Sequence, residues 1–145
     1  MTTSGIAHGK NLYFNLDTQE GSPTDISAYV IKVDGLPAEV EMDAYATGGA
    51  DGYSSIPGLQ KATIRLDCIF DDTASSAWDI VNDYLSDTDT RSFEYGPAGN
   101  TEGYAKISGE MRISRVSLPA ETTSGLRFTI EGPLDGAVTI GTFSA

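Results

Sequence analysis

From Gln60 to Phe70 the chain alternates without a break: Ala62, Ile64, Leu66, Cys68 and Phe70 fall on one side, and Lys61, Thr63, Arg65 and Asp67 on the other. A period of two scatters side chains around a helix but sorts them onto the two faces of a strand, so this segment predicts a strand with one buried face. The same pattern recurs. Leu12, Phe14 and Leu16 share a side in Lys10–Leu16, and Ile26–Val33 is rich in β-branched and aromatic residues after the turn-forming GSPTD stretch. In Ala38–Tyr45, Val40, Met42 and Ala44 alternate with Glu39, Glu41 and Asp43, predicting one packed face and one row of carboxylates. Arg91–Tyr95, Tyr104–Leu118 with a bulge near Gly109, Leu126–Ile130 and Val138–Phe143 complete the strands, the last two separated by a turn around Pro133–Gly136.

Only Ala74–Ser86 changes period. Ala77, Trp78, Val81, Tyr84 and Leu85 recur at three-and-four spacing, which predicts one amphipathic helix with Asp72 or Thr73 as its N-cap. The fold class is therefore mainly β: an antiparallel β-sandwich or barrel of seven or eight strands with one flanking α-helix. A length of 145 residues suits one domain, expected over residues 10–145, behind a small, polar, mobile arm at 1–9. Residues 47–57, with three glycines and a proline, are expected to be a long loop between strands, beyond the usual reach of a hairpin turn.

Charge excludes several functions. Twenty-one acidic against nine basic residues give a net charge of −12, and no two basic residues are adjacent, so no cationic stripe exists to displace counterions from a nucleic acid. No apolar run reaches the length of a membrane span, and the first ten residues lack the apolar core of a secretory signal, so a soluble protein made in the cytoplasm is expected. The lone Cys68 excludes an internal disulfide and any multi-thiolate zinc site, and on the apolar face of a strand it reads as inert packing. His8, the one histidine, lies in the predicted arm, where no base for a serine nucleophile is held in place, and no Gly-x-Ser-x-Gly elbow occurs. The aspartates at 67, 71, 72, 79, 83, 87 and 89 do not match an EF-hand and read as a solvated acidic face. GGADG at 48–52 lacks the ending of a phosphate-binding loop. No enzyme, metal or cofactor is expected.

Several segments taken in order do carry a resemblance: GKNLY at Gly9–Tyr13, DISAYV at Asp25–Val30 with GLP at Gly35–Pro37, IPGL at Ile56–Leu59, FDDT at Phe70–Thr73, RSFEYGPAGN at Arg91–Asn100 and ISGE at Ile107–Glu110. Spread over nearly the whole chain from Gly9, they resemble the major tail tube protein of long-tailed, siphovirus-type bacteriophages. The resemblance implies a β-sandwich with one helix, six copies per ring, and rings stacked into a virion tube through which phage DNA passes without specific binding. Tape measure, tail terminator and distal tail proteins are the further partners it implies, with no membrane. It also implies that Thr47, Gly48, Gly49, Asp51, Gly52, Tyr53, Ser54 and Ser55 reach a neighbouring ring, and that the chain, ending at Ala145, lacks the appended immunoglobulin-like domain of some relatives. Glu39, Glu41 and Asp43, with Asp67, then either line the lumen or form a solvated outer face. The rival reading is a monomeric β-sandwich binding module, for carbohydrate or a calcium-dependent ligand, with Trp78, Tyr53 and Tyr104 as stacking platforms.

Overall fold

A computed structural model describes residues 8–49, 51–120, 122 and 125–144. Ten strands form in chain order: β1 (Tyr13–Asp17), β2 (Pro23–Asp25), β3 (Val30–Asp34), β4 (Glu39–Tyr45), β5 (Ser54–Lys61), β6 (Thr63–Ile69), β7 (Arg91–Gly96), β8 (Ala105–Met111), β9 (Arg115–Ser117) and β10 (Arg127–Thr142). One short helix, α1 (Ala77–Val81), lies between β6 and β7. Eight strands make one antiparallel sheet in the order β2-β1-β7-β8-β10-β6-β3, with β9 also on β10, while β4 and β5 pair only with each other.

The sheet curls because β10 belongs to both of its halves. Arg127–Pro133 pairs with β6, Leu134–Thr142 pairs with β8, and the register shifts between Asp135 and Thr139. This departs from the expected pair of strands joined by a turn. Pro133 and Gly136 bend one long strand rather than reverse it, because the ladder continues on a new neighbour and the irregularity is absorbed as a bulge. At the bend Gly132 lies against the carbonyl of Arg112 so closely that any Cβ would collide with it. The facing segment breaks at 112–114, dividing β8 from β9, and the bulge expected near Gly109 has its extra residues in the partner strand: Gly109 is in regular register with Phe93 on β7, while the shift between Asp135 and Thr139 of β10 falls opposite it.

One core fills the fold. Phe14, Leu16, Phe93, Ile107 and Met111 from one half of the sheet meet Ile64, Leu66, Cys68, Phe128 and Ile130 from the other. Phe14 and Phe93 stack at 6.1 Å between ring centroids. The parity read for Gln60–Phe70 holds, since Ile64, Leu66 and Cys68 are buried. The helix, however, is shorter than the expected Ala74–Ser86. Its N-cap is Ser76 rather than Asp72 or Thr73: Ser76 Oγ accepts the Asp79 amide, and the Asp79 carboxylate accepts the Ser75 amide in return. Its far end is closed by Arg91, whose guanidinium donates to the Ile80 carbonyl while binding Asp83 at 2.9 Å and Asp87 at 2.8 Å. The chain then makes a separate 3-10 turn at Tyr84–Ser86, which leaves Leu85, expected in the core, 86% exposed. The start of the expected strand Ile26–Val33 is also a 3-10 turn, Ser27–Tyr29, because Asp25 accepts the Ser27 amide and Ser27 Oγ takes the Phe14 amide.

Candidate assembly surface

The β4–β5 hairpin leaves the body as a two-stranded ribbon, and every residue of Glu39–Tyr45 and Ser54–Lys61 is exposed. The sequence placed Val40, Met42 and Ala44 on a packed face; among the described residues nothing packs there, and Val40 is 41% and Met42 62% exposed. The alternation itself is intact. Val40 lies opposite Gln60 and Met42 opposite Pro57 on one face, while Glu39 lies opposite Lys61 and Asp43 opposite Ile56 on the other. A ribbon with no third strand and no cover is marginal in water, and grouped apolar side chains left in solvent mark a surface that meets something.

Pairing begins earlier than the expected loop allowed. Ser54–Pro57 is already strand, because its backbone completes the ladder with Met42–Tyr45, so the tip runs only from 46 to 53. Thr47, Gly48, Gly49, Asp51, Gly52 and Tyr53 belong to that tip, and Ser54 and Ser55 to β5. At the opposite end the hairpin is anchored by Gly35, which has φ of +89° and lies too close to the Thr63 carbonyl for any side chain. Of the expected arm, residues 1–7 lie outside the described residues; His8 caps a 3-10 turn at Gly9–Asn11 by accepting the Lys10 amide.

Three of the four acids named from sequence, Glu39, Glu41 and Asp67, have partners. Lys61 reaches Glu41 at 2.9 Å and Glu39 at 3.6 Å, and the hydrogen bond and charge of Glu41, with the charge of Glu39, hold its ammonium above the usual lysine value. Asp67 stands on β6, 3.6 Å from Arg65, and accepts from Thr129 Oγ1. Strand register then reveals what single strands did not. Asp34, Arg65, Glu131 and Arg115 lie in one row across β3, β6, β10 and β9, with Lys32, Asp67, Thr129 and Ser117 in the next. The outer face of this half of the sheet therefore carries one row of alternating charge and a second in which Lys32 and Asp67 lie beside two hydroxyl residues. The signal was present as odd-position charges in each strand, but only the pairing order aligns them.

Elsewhere the chemistry is spent on structure. Burial, then the Asp67 charge, pushes the Cys68 thiol up to about 12. Asp71, Asp79, Asp83 and Asp87 serve as caps and as the ligands of Arg91. Trp78 packs edge-on against Phe128 at 5.9 Å and against Phe70 at 5.5 Å, which removes it from the set of free stacking platforms. Among the described residues, no three His, Cys, Asp or Glu side chains converge as a metal site.

No protein-family model matches the chain, and no curated protein matches it in sequence. Its fold is similar to solved tail and tube structures. The SPP1 tail tube matches with a TM-score of 0.76 at 10% identity, over 97% of this chain and 81% of that one. The tail of an empty gene transfer agent particle, refined helically with C6 symmetry, matches with a TM-score of 0.74 at 15% identity, over 94% of this chain and 100% of that one. A chain of the PVC sheath–tube complex from an extracellular contractile injection system, in its extended state, matches with a TM-score of 0.70 at 14% identity, over 97% and 94%. All three neighbours come from tail, tail tube or sheath–tube structures.

Proposed function

We propose that the chain is a tail tube subunit of a virion, whose copies close into hexameric rings that stack into a conduit for DNA. The observation that carries the reading is the β4–β5 hairpin, fully exposed on both faces and bearing uncovered apolar side chains, on a fold shared nearly end to end with tube subunits. Ring closure by equivalent head-to-tail contacts gives such a ribbon a cover in every copy. In this reading the tip, with Thr47, Gly48, Gly49, Asp51, Gly52 and Tyr53, and with Ser54 and Ser55 beyond it, reaches the next ring. Glu39, Glu41, Asp43 and Asp67 face the lumen, with Lys61 and Arg65 offsetting part of their charge. A negatively charged wall repels the phosphate backbone and leaves DNA free to slide, in keeping with a subunit charge of −12.

Electron microscopy of the purified chain at high concentration tests the reading, with rings or tubes as the expected result. A deletion of residues 48–53 should keep the fold, since those residues lie outside the β4–β5 ladder that they connect, and should abolish stacking. Ordinary tubes from the deletion variant would remove the tip from the inter-ring contact, and a monomer at all concentrations would return the binding-module reading.

A further inference from the structure

We propose that Gln60 is a strut that sets the angle at which the β4–β5 hairpin leaves the sheet. β5 and β6 are separated only by Ala62, and β6 pairs with β10 as far as Thr63 opposite Pro133. Leu134 donates its amide to the Ala62 carbonyl, and there the contact between the two backbones ends. Beyond it the strands part. Gly136, at φ of +88°, takes β10 through the bulge toward β8, while β5 runs out into the hairpin. A cleft of about 900 Å³ opens between residues 58–63 and residues 133–137.

One hydrogen bond crosses the gap. Gln60 Oε1 accepts the Val138 amide at 3.1 Å, joining residues 78 apart in the chain. Among the described residues it is the one hydrogen bond that ties β4 or β5 to the body. Val138 is a firm anchor, because its side chain packs against the core. The residue type at position 60 fits the task. Gln60 heads the even-numbered file that continues as Ala62, Ile64, Leu66, Cys68 and Phe70, and it is the polar member of that file. A backbone N–H needs an acceptor, and the carboxamide oxygen supplies one at the end of two methylenes.

The hairpin is built to carry that angle to its tip. Its strands pair from Glu39 and Lys61 at the base to Tyr45 and Ser54, and Lys61 ties Glu39 and Glu41 together across the base. The eight residues of β5 make a lever of about 26 Å, so a rotation of about 10° at the base displaces the tip by about 4–5 Å. The chain connections at 35–38 and at Ala62 leave this rotation free, since neither strand of the hairpin pairs with the body. The Gln60–Val138 bond restrains it. The consequence for assembly rests on the tube reading, in which the tip meets the next ring: a ribbon already held at one angle loses less freedom on docking than one that swings.

The test compares Gln60→Met, which keeps the length and removes the acceptor, with Gln60→Glu, which keeps an acceptor; position 60 is exposed, so neither variant disturbs the core. In the free subunit the Val138 amide should exchange at least tenfold faster in Gln60→Met than in the unmodified chain, with the Leu134 amide unchanged, and Gln60→Glu should restore the slow rate. Distances between spin labels on Ser55→Cys and Ser117→Cys should spread in Gln60→Met and narrow again in Gln60→Glu. Gln60→Met should also need at least tenfold higher concentration to form tubes. A Val138 amide equally fast with and without the acceptor, or an unbroadened distance distribution in Gln60→Met, would overturn the strut. Tubes from Gln60→Met at the ordinary concentration would overturn its part in assembly. A chain whose exchange and distances respond as expected but which never self-associates would support the strut and overturn the tube reading.

Discussion

Arg91 is fully buried although it bears a charge, and its surroundings explain how that is tolerated. Asp83 and Asp87 neutralise it, and the Ile80 and Asp17 carbonyls both accept from its Nη1. Removing it would leave Asp87, whose side chain is itself buried, without its counter-charge, so Arg91→Met is expected to cost about 3–5 kcal/mol, read as a shift in the urea midpoint. Asp17 predicts the opposite sign. Burial, reinforced by the charges of Glu110 and Glu94, raises its pKa despite the opposing hydrogen bonds from Ser92, so the folded state penalises the carboxylate. That penalty is absent below the unfolded value near 3.8 and grows as pH rises through the folded value. Asp17→Asn should therefore stabilise the chain at pH 7 and leave its melting temperature unchanged at pH 3; equal effects at both pH values would count against this origin. Neither residue was legible in sequence as special, because both roles depend on strands distant in the chain.

Among the elements, β6 and the β4–β5 hairpin are the extremes. Both alternate with period two, yet β6 lies between β10 and β3 over a closed core, whereas the hairpin has one ladder and no cover. Local stability follows the number of buried contacts, so amides of Ile64, Leu66 and Cys68 should exchange near the global unfolding rate, and those of Met42–Tyr45 far faster in the free subunit. Equal protection across both would show that the hairpin is covered within the monomer. The sequence pattern identified β4 and β6, but read residues 54–57 of β5 as loop and 60–61 as the start of β6, and it misjudged what covers the apolar face of β4, since an amphipathic pattern records that a face is to be buried and not by which molecule. The helix was over-read for a related reason: its periodicity continues to Leu85, but Arg91 caps it at Ile80 and the chain turns away.

At the scale of the whole molecule, copies with a charge of −12 would have to approach one another to build the proposed tube, so on that reading raising salt should lower the concentration at which tubes appear. An increase instead would mean that ion pairs between copies outweigh the general repulsion. If the hairpin acids face the lumen, Glu39→Lys with Glu41→Lys should permit assembly but slow DNA ejection, with a delay that shrinks as salt rises. Normal ejection at low salt from well-formed tubes would move these acids to the outer surface. The sequence by itself determined the strand parity, the single helix, the mainly β class and the acidic surface, because period and composition act within a few residues of chain. Tertiary structure alone decided that β10 is one bent strand shared by both halves of the sheet, that odd-position charges align into rows, and that the apolar face of the hairpin stays open. Each of those depends on which strands lie side by side, and that is set by a core assembled from residues far apart in the chain.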